Sequence, residues 1–357
     1  MNLPSFVPSR VALLLAVALS LNGCAGSHAV VRQPVSELGR DAISAVSWFV
    51  PELGDDVADL VRWRRSVGPP VVRMANTPPP AADRLVVVNW NVHVGGGDIA
   101  RLFADVRQRM GPHVPIVLLL QEAYRAGDEV PRMLAPSATF ASVIREMRQD
   151  GRREEIEVVA ESLGLHAYYV PSMRNGGPSA SDEDRGNAIL STIPLSDLSA
   201  IELPFERQRR VAVAATVSGA TLDGRPWRVR VVSAHFDNMS GARRLWIAGS
   251  EFARARQARG LLTALGGEPS LVLGADMNTL FGFRDRAYAE AARAFPDTHV
   301  TDRRPTFHGL MRLDHLFFRL PDGWQAEFHR LDDNYGSDHH PLVGQVAVAA
   351  DRATPAP

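Results

Sequence analysis

Short runs of consecutive apolar residues recur from about residue 85 to the end of the chain. Three of them are LVVVNWNV at 85–92, PIVLLLQEA at 115–123 and SLVLGADMN at 270–278. Neighbouring side chains of a strand point to opposite faces, so a run that is apolar at successive positions predicts a strand covered on both faces. These segments are therefore predicted to be interior strands of packed sheets.

Two further segments alternate between apolar and polar residues with period two. They are RRVAVAATVSG at 209–219 and WRVRVVSAHF at 227–236, and the turn sequence TLDGRP between them predicts a β-hairpin. Helical spacing of apolar residues covers 98–110, 142–164 and 241–265. Strands that alternate with helices predict an α/β fold, with packed sheets inside and helices outside.

The first 23 residues are predicted to be a signal peptide rather than part of the fold. Arg10 precedes an apolar run at 11–21, which is too short for a membrane-spanning helix. The LNGC motif that follows resembles the lipobox of bacterial lipoproteins and ends in the only cysteine of the chain, Cys24. The resemblance implies an exported protein that is anchored to a membrane by lipid on Cys24 and faces the periplasm or the cell exterior. The alternative is an ordinary secretory signal with an incidental cysteine.

Residues 24–83 are predicted to be a lipid-anchored N-terminal segment that precedes the main domain. Interrupted helical spacing at 41–65 predicts two short helices. The proline-rich stretch at 67–83 predicts a stiff, extended linker. The main domain is expected at 84–349, followed by a disordered tail at 350–357.

The charge composition gives little support to binding of a long polyanion. The formal net charge of the 357 residues is −1, so the chain has no overall basic field. All 39 basic residues are arginines, which suit bidentate contacts to phosphate, although a genome-wide codon bias is the alternative explanation. A single cysteine leaves the exported protein without internal disulfides. We expect a monomer.

Polar residues stand at the ends of the apolar strands, where a buried core would not select them. Residues two apart in a strand share a face, so Asp276 and Asn278 are predicted to point the same way. If the strand ends converge, they collect carboxylates, imidazoles and amides in one cleft. The residues concerned are Asn89, Asn91, Gln121, Glu122, His235, Asp237, Asp276, Asn278, Asp314, Asp338 and His339.

Such a collection of oxygen donors suits Mg²⁺, with Mn²⁺ as an alternative ion. No spacing of Cys and His residues points to zinc. The segment YGSDHHPL at 335–342 places Asp338 directly before His339, so we expect Asp338 to orient His339 as a general base. A hard cation beside an Asp–His pair fits hydrolysis of a phosphate ester.

Several short motifs, in the expected order along the chain, resemble the endonuclease/exonuclease/phosphatase superfamily. The resemblance spans residues 85–348 and implies a four-layer α/β sandwich, in which two mixed β-sheets pack face to face with helices on both outer sides. The motifs are WNV (90–92), QE (121–122), GNAILS (186–191), SAHFD (233–237), GADMN (274–278), LDH (313–315) and SDHHP (337–341).

The resemblance also implies which residues hold the metal and the phosphate. Glu122 would be the principal metal ligand, assisted by Asn91. His235 and Asn278 would contact the scissile phosphate, and Asp314 would hold His235 in place.

For the attacking water, the resemblance makes His339 the general base and Asp338 its partner. Asp276 would orient the water, which attacks phosphorus in line. The implied activity is that of a metal-dependent phosphoric ester hydrolase of the phosphodiesterase or nuclease kind.

The substrate is less defined than the chemistry. Arg210 and Arg174 are candidate substrate-binding residues, against the alternative that they are ordinary structural or exposed arginines. Arg174 and Arg185 both stand in a polar loop at 174–186, and for Arg185 contact with the substrate and charge balance with the acidic residues of the loop are left as alternatives. Nucleic acid, a phospholipid headgroup or a small phosphate ester remains open as substrate, so a phospholipid or inositol-phosphate phosphoesterase is the alternative enzyme. A non-catalytic, membrane-anchored binding lipoprotein is the alternative from another class.

Four further polar residues near these motifs have competing explanations. Asn89 and His340 are expected to be structural. His93 and His315 are equally compatible with the wall of the site and with the core.

Overall fold

The computed structural model describes most of the chain after residue 80 and parts of the segment before it. The predicted signal peptide, Cys24, the C-terminal tail and residues 142–152 of one predicted helix lie outside the described residues. The described ranges are 30–33, 45–51, 60–76, 80–131, 153–175, 183–238 and 246–348.

Within these ranges the chain forms fourteen strands. In chain order they are β1 (Val30–Gln33), β2 (Val46–Pro51), β3 (Val71–Arg73), β4 (Arg84–Asn91), β5 (Ile116–Ala126), β6 (His166–Arg174), β7 (Glu183–Ser191), β8 (Leu195–Glu202), β9 (Val211–Ala220), β10 (Pro226–His235), β11 (Leu271–Asp276), β12 (Asp314–Arg319), β13 (Gln325–Arg330) and β14 (Leu342–Ala347). The helices are α1 (Ile99–Met110), α2 (Ile156–Ser162), α3 (Trp246–Leu265) and α4 (Arg286–Ala294), with a 3₁₀ turn at Gly282–Arg284.

The strands form two sheets of seven. The first sheet has the order β1-β2-β8-β9-β10-β11-β12, and the second has the order β13-β14-β4-β5-β7-β6-β3. Both sheets are mixed, because β10 pairs parallel with β11 and β4 pairs parallel with β5, whereas most other neighbours are antiparallel. The predicted hairpin is confirmed as β9 and β10.

Three separate apolar cores show that the sheets and helices form four layers. One core joins the two sheets and includes Leu119 of β5 and Val231 of β10. The second lies between the second sheet and α1 with α2, and the third lies between the first sheet and α3 with α4. The predicted α/β sandwich of two mixed sheets with helices on both outer sides is therefore confirmed. Of the helices in the described ranges, none has the length and apolarity that a membrane crossing requires.

The N-terminal segment contains strands where short helices were expected. Residues 46–51 form β2, which pairs in parallel with β8, so the helix predicted over this part of 41–65 is wrong. Its side chains alternate between buried and half-buried positions, and Val46 and Trp48 are almost fully buried in the core between the sheets. Aromatic and β-branched residues favour this half-covered strand environment. Helical structure is present at residues 60–64.

The proline-rich stretch after it also takes part in the second sheet. Residues 71–73 form β3 and pair antiparallel with β6. The N-terminal segment thus adds strands to both sheets, and within the linker predicted at 67–83 residues 71–73 are a paired strand.

A buried ion cluster fixes the N-terminal segment to the first sheet. Glu202, at the end of β8, accepts hydrogen bonds from Arg64 at 3.0 and 2.8 Å and from Arg209 at 2.7 Å. Burial alone would raise the pKa of Glu202, but the two guanidinium groups outweigh it and lower the pKa below its ordinary value. The Glu202 carboxylate is fully buried and is the shared acceptor of the two guanidinium groups.

We expect Glu202→Gln to lower the free energy of unfolding by about 3–5 kcal/mol, because it leaves two buried arginines without their carboxylate. Urea denaturation monitored by circular dichroism measures the change. Glu327→Gln, at an exposed position of β13, is the matched control and should leave the unfolding midpoint unchanged. An unchanged midpoint for Glu202→Gln would show that the cluster does not hold the segment.

Candidate active site

Three adjacent strands of the first sheet bring acidic and imidazole groups to one end of the sandwich. His235 ends β10 and is paired with Asp276, which ends the parallel strand β11. Asp276 is paired in turn with Asp314, the first residue of the antiparallel strand β12. The register therefore places three of the predicted residues side by side.

The second sheet supplies Asn91, the last residue of β4, and Glu122, which lies inside the neighbouring parallel strand β5. The side-chain amide of Asn91 donates to Asp276 Oδ2 at 2.9 Å, which joins the two sheets at the site. Glu122 lies in an irregularity of β5, between Leu120 and Ala123, and has a φ of +54°. This left-handed conformation is uncommon for a non-glycine residue and costs about 1–3 kcal/mol, a strain that is typical of functional sites.

Asn278, just after β11, is held in a similar conformation, with a φ of +49°. Its backbone N–H donates to Asp276 Oδ1 at 3.0 Å, and its side-chain nitrogen lies 3.0 Å from His235 Nε2. Asp276 and Asn278 of the GADMN motif therefore lie close together because of a turn. They are not two residues of one strand, since β11 ends at Asp276.

The glycine of the same motif has a packing role. A Cβ atom on Gly274 would lie 2.6 Å from the side-chain oxygen of Asn89 and 2.8 Å from Leu119 of the facing sheet. Only glycine allows the sheets to approach this closely directly below the site.

His339 is oriented by Asp314 and not by its sequence neighbour. The His339 Nδ1 atom lies 2.7 Å from Asp314 Oδ2, whereas Asp338 Oδ1 is 3.9 Å from His339 Nε2. The predicted pairing of Asp338 with His339 is therefore wrong. Successive side chains of an extended segment diverge, and the Asp338 carboxylate instead lies 3.5 Å from the His93 ring.

The predicted support of His235 by Asp314 is also wrong, because the Asp314 carboxylate contacts the ring of His339 instead. His235 is buried, with Asn278 at 3.0 Å and Asp276 Oδ2 at 3.4 Å. Burial and the nearby charge of Arg210 lower the pKa of His235 well below its ordinary value. His235 is thus a neutral imidazole at pH 7.

The charges around His339 favour its protonated form. Burial alone would lower the pKa of His339, but the carboxylates of Asp314, Asp276 and Asp338 raise it to about 10. Burial and the charge of Asp314 raise the pKa of Asp276 to about 7. The His339 imidazole is therefore held in its protonated form between acidic groups, in a position to transfer a proton to or from a ligand.

Glu122, His235, Asp276 and His339 line a cleft of about 410 Å³, which is the size of a small-molecule site, whereas Asp314 is buried behind His339. One wall is basic and is formed by Arg185, Arg207 and Arg210. Another part of the lining is apolar, because the Phe307 ring packs on His339 with centroids 4.8 Å apart and Met311 and Leu313 also line the cleft. The cleft therefore combines cationic, acidic and apolar groups in its lining.

Of the two predicted substrate-binding arginines, the structure places one in the cleft. Arg210 lines it and is almost fully buried. Arg174 is not among the lining residues; it is buried at the end of β6 and donates to the carbonyl of Pro131 at 2.5 Å. The sequence places Arg174 in a polar loop at 174–186, a position that did not distinguish a backbone-binding arginine from a substrate-binding one.

The four residues with open explanations divide between core and wall. Asn89 is structural: it accepts from Gln121 and donates to the carbonyl of His315. His315 lies in the core, 2.8 Å from the Thr279 hydroxyl, and His340 bonds to the carbonyl of Leu331. His93 lines the cleft.

Sequence reasoning missed Arg207 and Phe307 and left Arg185 undecided. Arg207 follows β8 in a loop whose backbone N–H groups bond to Asp237 Oδ2, so Asp237 shapes this wall. Phe307 reaches the cleft through a tight turn that pairs with both Met311 and His339. Its signal in the sequence was the turn PTFHG, which contains an apolar residue that no predicted strand requires.

The donor set fits a hard divalent cation. Glu122 lines the cleft, and the contacts of its oxygens with the described residues are long, 3.4 Å to Arg185 and 3.9 Å to His235, so a ligand can compete for them. Asn91 contributes a nearby amide oxygen. Asp276, Asp314 and His339 also offer ligand atoms within 4.8 Å of one another, but Asp314 and His339 are already bonded to each other. Glu122 with Asn91 is therefore the better site for Mg²⁺.

Comparisons with known proteins found solved structures that resemble this chain. A structure described as an endonuclease/exonuclease/phosphatase from Beutenbergia cavernae DSM 12333 has a TM-score of 0.51 and 18% identity, covering 74% of this chain and 72% of that one. A humanized TDP2 from D. rerio (TM-score 0.42, 14% identity, 74% and 99% coverage) and Sphingomyelinase C from Streptomyces griseocarneus (0.42, 15%, 73% and 99%) are also similar.

A comparison with curated protein sequences found no match. A family profile described as Endonuclease/Exonuclease/phosphatase family matches residues 88–339, which is more than half of the chain and includes every residue of the cleft named above. The chain belongs to the endonuclease/exonuclease/phosphatase family and has the phosphoesterase fold of that family.

Proposed function

We propose that the protein is a Mg²⁺-dependent hydrolase that cleaves phosphate esters by attack of water on phosphorus. The observation that carries this proposal is the His339–Asp314 pair, at 2.7 Å, whose imidazole lines the same cleft as Asp276, His235 and Glu122. An imidazole held by a buried carboxylate acts as a general base in its deprotonated form, and the neighbouring donors are suited to a phosphoryl group.

Each residue has a distinct task in this reaction. His339, fixed by Asp314, removes a proton from the water. Asp276 holds that water through Oδ2, the carboxylate oxygen that faces the rings of His235 and His339. His235 and Asn278 donate to the phosphoryl oxygens, whose negative charge grows in the transition state. Glu122 and Asn91 would hold Mg²⁺, which supplies polarisation of the phosphoryl oxygen when bound.

The size of the cleft and the charge of the protein favour a small phosphate ester over a long nucleic acid. A volume of about 410 Å³ fits a compact molecule, and a net charge of −1 gives no overall basic field to attract a long polyanion. The apolar end of the cleft, at Phe307, keeps a phospholipid or inositol-phosphate headgroup as the second candidate. The non-catalytic alternative is disfavoured because the complete acid–base set is assembled.

Chelation tests the metal and the reaction together. We expect EDTA to abolish hydrolysis of bis(4-nitrophenyl) phosphate, and excess Mg²⁺ or Mn²⁺ to restore it. Glu122→Gln, which keeps the side-chain size but removes the charge, should raise the Mg²⁺ concentration needed for half-maximal rate by at least about tenfold. Release of 4-nitrophenol, followed by absorbance, measures both effects. Full activity after exhaustive treatment with EDTA would refute the metal-dependent mechanism.

A further inference from the structure

A buried ion pair in the second sheet lies close to Glu122 and is not used by the proposed reaction. Arg125 of β5 and Asp184 of β7 are opposite each other in the register of the two strands. The Arg125 guanidinium donates to both Asp184 oxygens, at 3.2 and 2.5 Å, and the Tyr169 hydroxyl donates to Asp184 at 2.7 Å. Asp184 is fully buried, Arg125 is 3% exposed, and neither side chain lines the cleft. Their effect on the site must therefore pass through other residues.

The N-terminal segment completes this ion pair with two backbone hydrogen bonds. The Gly68 N–H donates to Asp184 Oδ2 at 2.8 Å, and the carbonyl of Pro69 accepts from Arg125 Nη1 at 2.8 Å. A Cβ atom on Gly68 would lie 2.2 Å from Arg125 Nη2 and 2.8 Å from the carbonyl oxygen of Glu129. Only glycine allows the segment to approach the pair this closely. Residues 68 and 69 thus supply partners to both buried charges.

The ion pair lies directly after the irregularity of β5 that contains Glu122. The register of β5 against β7 shifts around Glu122 and resumes with Ala123 opposite Gly186 and Arg125 opposite Asp184. A strained backbone, such as the φ of +54° at Glu122, persists only where the surrounding structure determines it. A buried pair of opposite charges across two strands fixes their register at that point. The Arg125–Asp184 pair therefore holds the backbone of Glu122 in its strained conformation.

Arg185 connects the same ion pair to the Glu122 carboxylate by a second route. Asp184 immediately precedes Arg185 in β7, and Arg185 Nη1 lies 3.4 Å from Glu122 Oε2. A displacement of Asp184 would therefore shift both the strand that carries Glu122 and the cation beside its carboxylate.

We propose that Asp184 and Arg125, together with Gly68 of the N-terminal segment, are positioning residues that hold the Glu122 carboxylate in the geometry for binding a divalent cation. This inference rests on the proposed function, which makes Glu122 the metal ligand. Residues that support a ligand from behind typically contribute about 10–100-fold to metal affinity. The N-terminal segment is therefore required for the metal site, although residues 68 and 69 precede the region 88–339 that matches the family.

Binding of Mn²⁺ to the full chain, without substrate, tests this role by a readout other than activity. Electron paramagnetic resonance of free Mn²⁺ gives the Kd, and Asp184→Asn is expected to raise it about 10–100-fold. Asp285→Asn is the matched control, because Asp285 is also a fully buried carboxylate and accepts from buried Arg254 at 2.5 Å, between α3 and α4. Both variants should melt at lower temperature than the wild type, but Asp285→Asn should keep the wild-type Kd. An equal rise of the Kd in both would overturn the proposal, since general destabilisation would then explain it.

Gly68→Ala is the second variant, and it leaves every polar group of the ion pair in place. Its methyl group would displace Arg125, so the Kd for Mn²⁺ is expected to rise about tenfold. Gly267→Ala is the control, because a Cβ atom there meets no other atom within 4 Å. If circular dichroism shows Asp184→Asn to be unfolded, Gly68→Ala decides the test. A wild-type Kd in the folded variant that decides it would overturn the proposal.

The variant Glu122→Gln separates failure of the positioning role from failure of the proposed function. A weaker affinity for Mn²⁺ in Glu122→Gln, with a wild-type Kd in Asp184→Asn, would refute the positioning role and leave Glu122 as the metal ligand. Equal affinities of the wild type and Glu122→Gln would remove the metal ligand of the proposed function, and the positioning role with it. Weaker binding in Glu122→Gln, Asp184→Asn and Gly68→Ala, with both controls unchanged, supports the proposal.

Discussion

His339→Ala is expected to lower kcat/KM for bis(4-nitrophenyl) phosphate by about 10²–10⁴-fold, since it removes the general base. The ring is almost fully buried between Asp314 and Phe307, and Nε2 is left to face the cleft. Initial rates at saturating Mg²⁺ measure the effect. The variant also leaves Asp314 buried without its partner, so the thermal midpoint should fall, and the rates are compared at a temperature at which circular dichroism shows both proteins to be folded.

The adjacent histidine offers a matched control for this variant. His340 bonds to the carbonyl of Leu331 and does not line the cleft, so His340→Ala should retain activity within about threefold of the wild type. Comparable rates for His339→Ala and the wild type would remove His339 from the mechanism. A large loss in His340→Ala alone would reassign the base to the second histidine.

Asp314→Asn is expected to reduce activity by about 10²–10⁴-fold, whereas Asp338→Asn should reduce it by less than about tenfold. Asp314 is the carboxylate in contact with His339 Nδ1, and an amide there fixes the wrong ring tautomer. Asp338 lies 3.9 Å from the other ring nitrogen and contacts His93 instead. Initial rates of the two variants on one substrate measure the difference.

The pH profile gives the same comparison an independent readout. A general base works when deprotonated, so activity should rise with pH as His339 loses its proton. Asp314 is the strongest of the charges that raise the His339 pKa to about 10. Removing this charge lowers the pKa, and the rising limb of kcat/KM should move to lower pH in Asp314→Asn. A limb that moves in Asp338→Asn but not in Asp314→Asn would restore the pairing expected from the sequence.

The fold was largely predictable because its strands carry a strong local signal. Apolar runs such as 115–123 are covered on both faces in the four-layer structure, so their pattern does not depend on distant contacts. β2 was not predictable in the same way. Its six residues are too few to establish a period, and its pairing with β8 joins residues about 150 positions apart in the chain.

The site was predictable as a set of residues but not as a set of contacts. Glu122, His235, Asp276, Asn278 and His339 all line one cleft, as their positions at strand ends indicated. Which carboxylate faces His339 depends on the register of β11 with β12 and on the turn that carries the histidine. The residues next to Asp338 in the sequence determine neither the register nor the turn. The partner of Arg174 also depends on a distant part of the chain, which is why its role was predicted incorrectly.

The strands that the N-terminal segment adds to both sheets have a consequence for any shortened form of the protein. β2 covers β8 in the first sheet, and β3 covers β6 in the second. A fragment that begins at residue 84 would therefore expose two unprotected sheet edges, with free backbone donors and acceptors that can pair with another molecule. Self-association of such a fragment would reflect this loss of edge protection and not a natural oligomer.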